Sequence, residues 1–305
     1  MKYRRLGKTG LKVSVVGIGT WQFGGDWGKE FTQSEVDGVL TRAKELGINL
    51  IDTAECYGPH HRSESFIGDF LRRDRREDWV VATKFGHCWH DRWNHAWSVD
   101  EIRVQLDESL RALQTDYIDL YQFHSGSDEV FNNDDLWTML DKQAQAGKIR
   151  NLGISIGAND NIYQTAKATE VNAKAIQVVY NRIDLAAERE VFPSCIEQDL
   201  GVLARVPLAS GYLSGKYKPG ATFEDNVRRG HDRQEIDRKL ALVEEIRETE
   251  VPEGIGMAEW ALAWCLQHPA VTSVIPGCKS IEQVEANARA AELALVKPDH
   301  PAAWR

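Results

Sequence analysis

The sequence predicts an α/β fold, a (β/α)8 TIM barrel, from three observations. Short apolar runs rich in β-branched and aromatic residues alternate with longer amphipathic stretches along the whole chain. Eight such runs occur, each followed by a helical pattern; βα repeats make parallel sheets, and eight strands close into a barrel. No low-complexity linker or composition break interrupts the 305 residues. Residues 1–305 therefore read as one domain, of a length that suits a barrel of typically about 250 residues plus long loops.

The elements follow in order. "MKYRRLGKTGLKVSVVGIG" has a basic start, but Lys12 and several glycines interrupt any signal-peptide core, and it reads as a short β-hairpin around "GKTG". The strands are "VVGIGT" (15–20), "NLID" (49–52), "WVVATKF" (79–85), "YIDLYQF" (117–123), "IRNLGIS" (149–155), "AIQVVY" (175–180), "GVLARV" (201–206) and "TSVI" (272–275). Helical patterns between them include "SEVDGVLTRAKELG", "SESFIGDFLRR", "VDEIRVQLDESLRAL" and "DDLWTMLDKQAQAG", with Ser34, Ser63 and Ser98 as N-caps and Gly47 and Gly147 as stops. "RRDRRED" (72–78) reads as a solvated helix end and "ETEVPEG" (248–254) as a polar turn between two helices. Two connections, 86–98 and 208–232, are longer than the rest; in a barrel, long loops after strands sit at the C-terminal, catalytic face. The competing fold, a doubly wound sheet with a dinucleotide fingerprint, needs G-x-G-x-x-G, and "GIGTWQFGG" (17–25) fails at the third glycine.

Composition narrows the function. A net charge of −9 argues against nucleic acid or an anionic membrane as partner, since both need a positive surface. No apolar run approaches the roughly 20 residues of a membrane span; "WALAWCL" (260–266) is among the longest. The five cysteines, Cys56, Cys88, Cys195, Cys265 and Cys278, are scattered and form no CxxC pair, the pattern of free thiols in a reducing, cytoplasmic setting. Cys56 reads as a small structural residue.

Polar residues at strand ends carry the chemistry. Asp52 ends the second strand and Tyr57 follows one turn later; Lys84 sits near the end of the third strand and His124 ends the fourth. Singly, these are an ion pair at a barrel rim, a loop aromatic and a satisfied core histidine. Together, at three successive strand ends, they make a site. A lysine ammonium about 4 Å from a phenol, at an effective dielectric near 20, favours tyrosinate by up to roughly 4 kcal/mol, about three pKa units. An aspartate keeps the lysine charged, and a histidine orients a carbonyl oxygen. The set suits proton transfer in a C=O/CH–OH interconversion, with hydride from a nicotinamide as the natural complement.

With these residues in view, the chain resembles the aldo-keto reductases over nearly its whole length. The motifs are "GIGTW" (17–21), "NLIDTAECYG" (49–58), "VVATKFG" (80–86), "LQTDYIDLYQFH" (113–124), "GKIRNLGIS" (147–155), "QVVYNRID" (177–184), "VPLASGYLSGKY" (206–217) and "SVIPGCKSIEQVEANARA" (273–290). The resemblance implies a catalytic tetrad of Asp52, Tyr57, Lys84 and His124, with Tyr57 as general acid, and NADPH (NADH as the alternative) bound across the barrel top. It puts Ser155 and Gln177 on the nicotinamide carboxamide, and Thr20 and Trp21 near cofactor and substrate. Arg205, Pro207 and Leu208 would lie beside the cofactor, Leu213, Ser214 and Lys216 along the pyrophosphate, and Gly277, Lys279, Gln283 and Asn287 at the adenosine 2′-phosphate and adenine. The branch it resembles is that of the bacterial inositol-operon and general-stress reductases.

Three departures mark this chain: Ile156 where many members have Asn, Arg205 where an aromatic stacks under the nicotinamide, and Gln283 where an arginine is frequent. Trp21, Trp27, Trp89 and Trp93 offer flat faces to a sugar or aromatic substrate, and Trp97 reads as packing or pocket wall. His87, Cys88, His90 and His95 match no strong zinc spacing, so no metal is expected. A metal-dependent barrel hydrolase would need those histidines to hold an ion. His60 and His61 read as solvent-exposed loop residues. The expected partner is a small-molecule carbonyl or sugar, in either reaction direction, with a homo-oligomer left open. The alternative from another class is an NADPH-binding sensor or auxiliary subunit with slow turnover.

Overall fold

An antiparallel hairpin of β1 (Tyr3–Arg5) and β2 (Lys12–Ser14) precedes eight parallel strands. These are β3 (Ile18–Gly19), β4 (Leu50–Asp52), β5 (Val80–Phe85), β6 (Leu120–His124), β7 (Leu152–Ser155), β8 (Ala173–Val179), β9 (Gly201–Arg205) and β10 (Ser273–Val274). The structure, a computed structural model, describes residues 1–87 and 97–304. Each strand pairs with the next in sequence, and parallel bridges Val16–Val274 and Gly19–Gly277 return the last to the first, closing the barrel. Each of the eight expected runs overlaps one strand, with β6 reaching one residue further, to His124, and β8 starting two residues earlier, at Ala173.

Helices α1 (Gln33–Glu45), α2 (Arg62–Leu71), α3 (Val99–Ala112), α4 (Asp128–Phe131), α5 (Asp134–Gln145), α6 (Ile162–Ala166), α7 (Val191–Glu197), α8 (Arg233–Thr249), α9 (Met257–Cys265) and α10 (Ile281–Arg289) follow the strands. Ser98 caps α3 in a full capping box with Glu101, as expected. Ser34 does not cap α1. Thr32 does, because Thr32 and Glu35 complete the reciprocal S/T-x-x-E pair two residues earlier. Ser63 is also no cap. It is buried inside α2, and its hydroxyl donates to Thr20 Oγ1 at 2.8 Å. Gly47 (φ +79°) and Gly147 (φ +85°) end α1 and α5 in the left-handed conformation that glycine adopts without strain. "ETEVPEG" joins α8 to α9 as a mostly exposed turn. In "RRDRRED", however, Arg76 leaves the solvent: it donates to the buried Asp119 at 2.7 Å and lies over the Tyr117 ring.

Period-two alternation sorts the strand side chains. Ile51, Val81, Tyr121, Ile154, Ile176 and Val202 face the helices in the main core. Leu50, Val80, Ala82, Leu120, Ala175 and Leu203 fill the barrel interior, where Leu6 and Val13 of the hairpin close the bottom. Gly201 has to be glycine there, since a Cβ would lie 2.5 Å from Leu6. Higher on the same inward faces come Asp52, Lys84, Gln122, His124, Ser155, Gln177 and Arg205. The interior is thus apolar in its lower layers and polar at its C-terminal end.

Candidate active site

The polar upper layer and the loops above it line a cleft of about 1010 Å³, at the upper end of the roughly 300–1,000 Å³ of small-molecule sites. Its chemical centre is Lys84, which is fully buried. An ammonium has three donors and no acceptor, and Lys84 Nζ spends them on Asp52 Oδ2 (2.8 Å), the Thr53 carbonyl (2.6 Å) and Tyr57 Oη (3.1 Å). Asp52 is held in turn by Gln177 Nε2, which donates to Oδ1 at 2.7 Å, and more loosely by Gln122 at 3.4 Å. The His124 ring stands edge-on to Tyr57 with centroids 6.4 Å apart. The structure therefore brings Asp52, Tyr57, Lys84 and His124 together.

Their electrostatics correct one expectation. Burial pushes the Tyr57 phenol up to about 12, outweighing the opposing Lys84 ammonium. The lysine field was expected to favour tyrosinate; desolvation of the buried phenol is larger, so the neutral phenol is the resting form. Burial works against charge on Lys84 too, but Asp52 and Tyr57 outweigh it and raise its pKa. Burial, then the Lys84 charge, holds His124 well below its usual range, so its ring is neutral.

Most of the expected cofactor residues line the cleft: Thr20, Trp21, Gln177, Arg205, Pro207, Leu208, Ser214, Lys216, Gly277, Lys279, Gln283 and Asn287. Two do not. Ser155 is buried beneath Gln177, and Leu213 packs its side chain into the apolar cluster with Ile236 and Trp260. Lys279 does not open α10 but precedes its N-cap, Ser280; its Nζ donates to the Trp27 carbonyl at 2.6 Å. Among the described residues, Arg205 Nε, Asn287 Nδ2, Trp27 Nε1 and Gln22 Oε1 are buried in the cleft wall without a hydrogen-bond partner. Buried polar groups are rarely left so. They fit a polar ligand, and Lys216, Lys29 and Arg228 gather their positive charge around Lys279.

Trp21 lies nearly parallel to the Tyr57 ring at 6.0 Å, and Trp27 meets Trp21 edge-on at 5.3 Å. Both line the cleft. Trp89 and Trp93, with Cys88, His90 and His95, lie outside the described residues. Trp97 packs against Phe85 and Phe123. His60 is exposed as expected, but His61 bonds the buried Glu64. Cys56 lines the cleft with its Sγ 3.8 Å from His124 Nδ1, and burial, reinforced by Glu55, pushes its thiol well above the usual range. Sequence reasoning missed Gln122, although Leu120, Gln122 and His124 share one strand face by alternation. It also missed Arg228, which stacks on Phe223 at 4.0 Å and faces Trp27 from an irregular loop with no periodic signal.

The model of the aldo/keto reductase family matches residues 15–303. The chain belongs to the aldo-keto reductases. It is similar to the oxidoreductase YqkF of Bacillus subtilis, with 34% identity over 297 residues covering 95% of this chain and 91% of that one. It is also similar to the NADH-specific methylglyoxal reductase of Escherichia coli, 30% identical over 98% of this chain and 96% of that one. Among solved structures, the holo form of the aldo-keto reductase AKR11C1 from Bacillus halodurans superposes with a TM-score of 0.81 at 32% identity, covering 98% of this chain and 94% of that one. This aldo-keto reductase is thus an oxidoreductase of the nicotinamide-using kind. No helix among its described residues is long and apolar enough to cross a membrane.

Proposed function

We propose that the protein is an NADPH-dependent reductase of small or sugar-type aldehydes and ketones, with Tyr57 as its proton donor. The observation that carries this reading is the spending of all three Lys84 donors, one of them on Tyr57 Oη. Because Tyr57 Oη accepts from Lys84, its own O–H is left to point toward the cleft. As that proton moves to a carbonyl oxygen, negative charge grows on the phenolate beside a fixed ammonium, in a site where burial makes the attraction strong. Asp52 keeps Lys84 charged and aimed, and Gln177 and Gln122 hold Asp52. His124, neutral, can donate a hydrogen bond to the same carbonyl without adding charge.

When bound, the reduced nicotinamide supplies the hydride that the carbonyl carbon takes. Gln177, Arg205 and Trp21 would face that end of the cofactor. Lys279 and Lys216 would meet its phosphates, with Asn287 at the adenosine end. Lys279, half-buried near other cations, is why the phosphorylated cofactor is preferred in this reading. The free thiols Cys56, Cys195, Cys265 and Cys278 support a cytoplasmic setting.

The test is loss of NADPH absorbance on addition of methylglyoxal, a nitro-substituted benzaldehyde and a panel of aldoses, repeated with NADH. Turnover of at least one carbonyl, faster with NADPH, is the expected result. Tight NADPH binding without turnover of any would overturn the reading.

A further inference from the structure

Beside Tyr57, three donors converge that the proton-transfer reading does not use together. Glu55, Cys56 and His124 each present one donor atom, and these atoms lie within 4.8 Å of one another. Two come from the turn after β4 and the third from the end of β6, so no sequence spacing announces them. Cys56 Sγ is 3.8 Å from His124 Nδ1. Zinc bonds of about 2.3 Å to sulfur and 2.0–2.1 Å to nitrogen, arranged tetrahedrally, set those atoms about 3.6 Å apart. The Cys56–His124 pair is within a few tenths of an ångström of that spacing, and the Glu55 carboxylate, within 4.8 Å of both, closes on the ion by a side-chain movement of roughly 1 Å.

Two further observations point to an ion. Cys56 and His124 line the cleft, which gives an entry path. Glu55, behind them, is 4 % exposed, and neither of its carboxylate oxygens has a hydrogen-bond partner. Burying such a group unpaired is costly.

We propose that Glu55, Cys56 and His124 form a binding site for a thiophilic divalent cation, Zn²⁺ or Cd²⁺, whose occupation shuts the catalytic centre. Cysteine sulfur, histidine nitrogen and carboxylate oxygen are the three ligand types zinc takes, a fourth position would stay open to the cleft, and sulfur and nitrogen ligands disfavour Mg²⁺ and Ca²⁺, which take oxygen. Cys56 binds as the thiolate and Glu55 as the carboxylate, and any proton they carry passes to solvent as the ion enters. The ion takes the His124 nitrogen and occupies the floor of the cleft next to Tyr57, where a carbonyl has to sit.

The experiment uses the full chain, stripped of metal. Zn²⁺ is titrated while carbonyl reduction is followed, and Cd²⁺ while the ultraviolet thiolate-to-cadmium charge-transfer band is followed; the band reads the site whether or not the preparation turns over. The expected result is saturable one-to-one binding with loss of turnover, reversed by EDTA. Cys56→Ser, which uses no catalytic group, should keep its turnover and lose the cadmium band. Its zinc inhibition should weaken by at least the roughly tenfold to hundredfold that follows from losing even an outer contact of a metal site. Glu55→Gln should keep the band at reduced affinity. A wild-type protein without the band, a band that survives in Cys56→Ser, or equal zinc inhibition of both proteins would overturn the proposal.

Discussion

Asp119 at the N-terminal end of the barrel and Asp52 at the C-terminal end are both buried carboxylates held by cations. Asp119 receives Arg76 (2.7 Å), Arg150 (2.9 Å) and the Val81 amide (3.0 Å). Its arginines reach it from the rim, the half-exposed Arg150 stacking on Tyr117, and the hairpin's Leu6 and Val13 close the interior nearby. Asp52 instead faces a fully buried lysine, one of whose other two donors reaches a phenol, below a cleft walled by unpartnered polar atoms. A buried ion pair alone therefore does not mark a site. What marks it is the open volume, the polar groups left unsatisfied and the titratable group poised between the pair and that volume.

The sharpest way to break this comparison is Lys84→Met. It removes the charge that stabilises a phenolate and leaves Asp52 buried and unpaired. We expect turnover to fall by about 10²–10⁴-fold and urea unfolding to show a loss of about 3–5 kcal/mol. Full activity would contradict the role of the ammonium. Next, Lys279→Ala should raise the KM for NADPH by roughly tenfold to hundredfold, the value of one charge-assisted hydrogen bond, and leave NADH nearly unchanged. Equal effects on both cofactors would remove Lys279 from phosphate recognition. At the opposite end, Asp119→Asn should cost about 1–3 kcal/mol of stability without changing kcat; a drop in kcat would show the two ends coupled.

The smallest effect is in pH. With the free-enzyme phenol raised to about 12 and His124 held well below its usual range, both keep their reductive protonation state through neutrality. Reductive kcat/KM should stay level from about pH 6 to about pH 9, while alcohol oxidation, which needs the scarce tyrosinate, should rise with pH. A reductive profile falling through neutrality would mean that the lysine field, not burial, governs Tyr57.

Much of this was legible in the sequence because period-two alternation and strand-end position are local signals. Leu50 and Asp52, or Ala82 and Lys84, declare one inward face that is apolar below and polar above. Asp52, Lys84 and His124 followed from that face, and Tyr57 from its place in the turn directly after β4. What sequence could not supply was the balance of energies: the effect of Lys84 on Tyr57 is calculable from a distance, but the opposing desolvation depends on how deeply the phenol is packed. Nor did it supply the meeting of Glu55, Cys56 and His124, or the reach of Arg228 from its loop, since tertiary packing and not spacing brings these together. The misplaced caps at Ser34 and Ser63 have a simpler origin. Serine near a helix start fits several offsets, and only the reciprocal Thr32–Glu35 pair selects one.

The most direct test of the proton-donor role is Tyr57→Phe, comparing kcat for carbonyl reduction with the Kd for NADPH measured by fluorescence quenching. A loss of turnover of at least about 10²-fold with cofactor affinity unchanged is the expected result. Turnover within a few-fold of wild type would show that the proton comes from elsewhere.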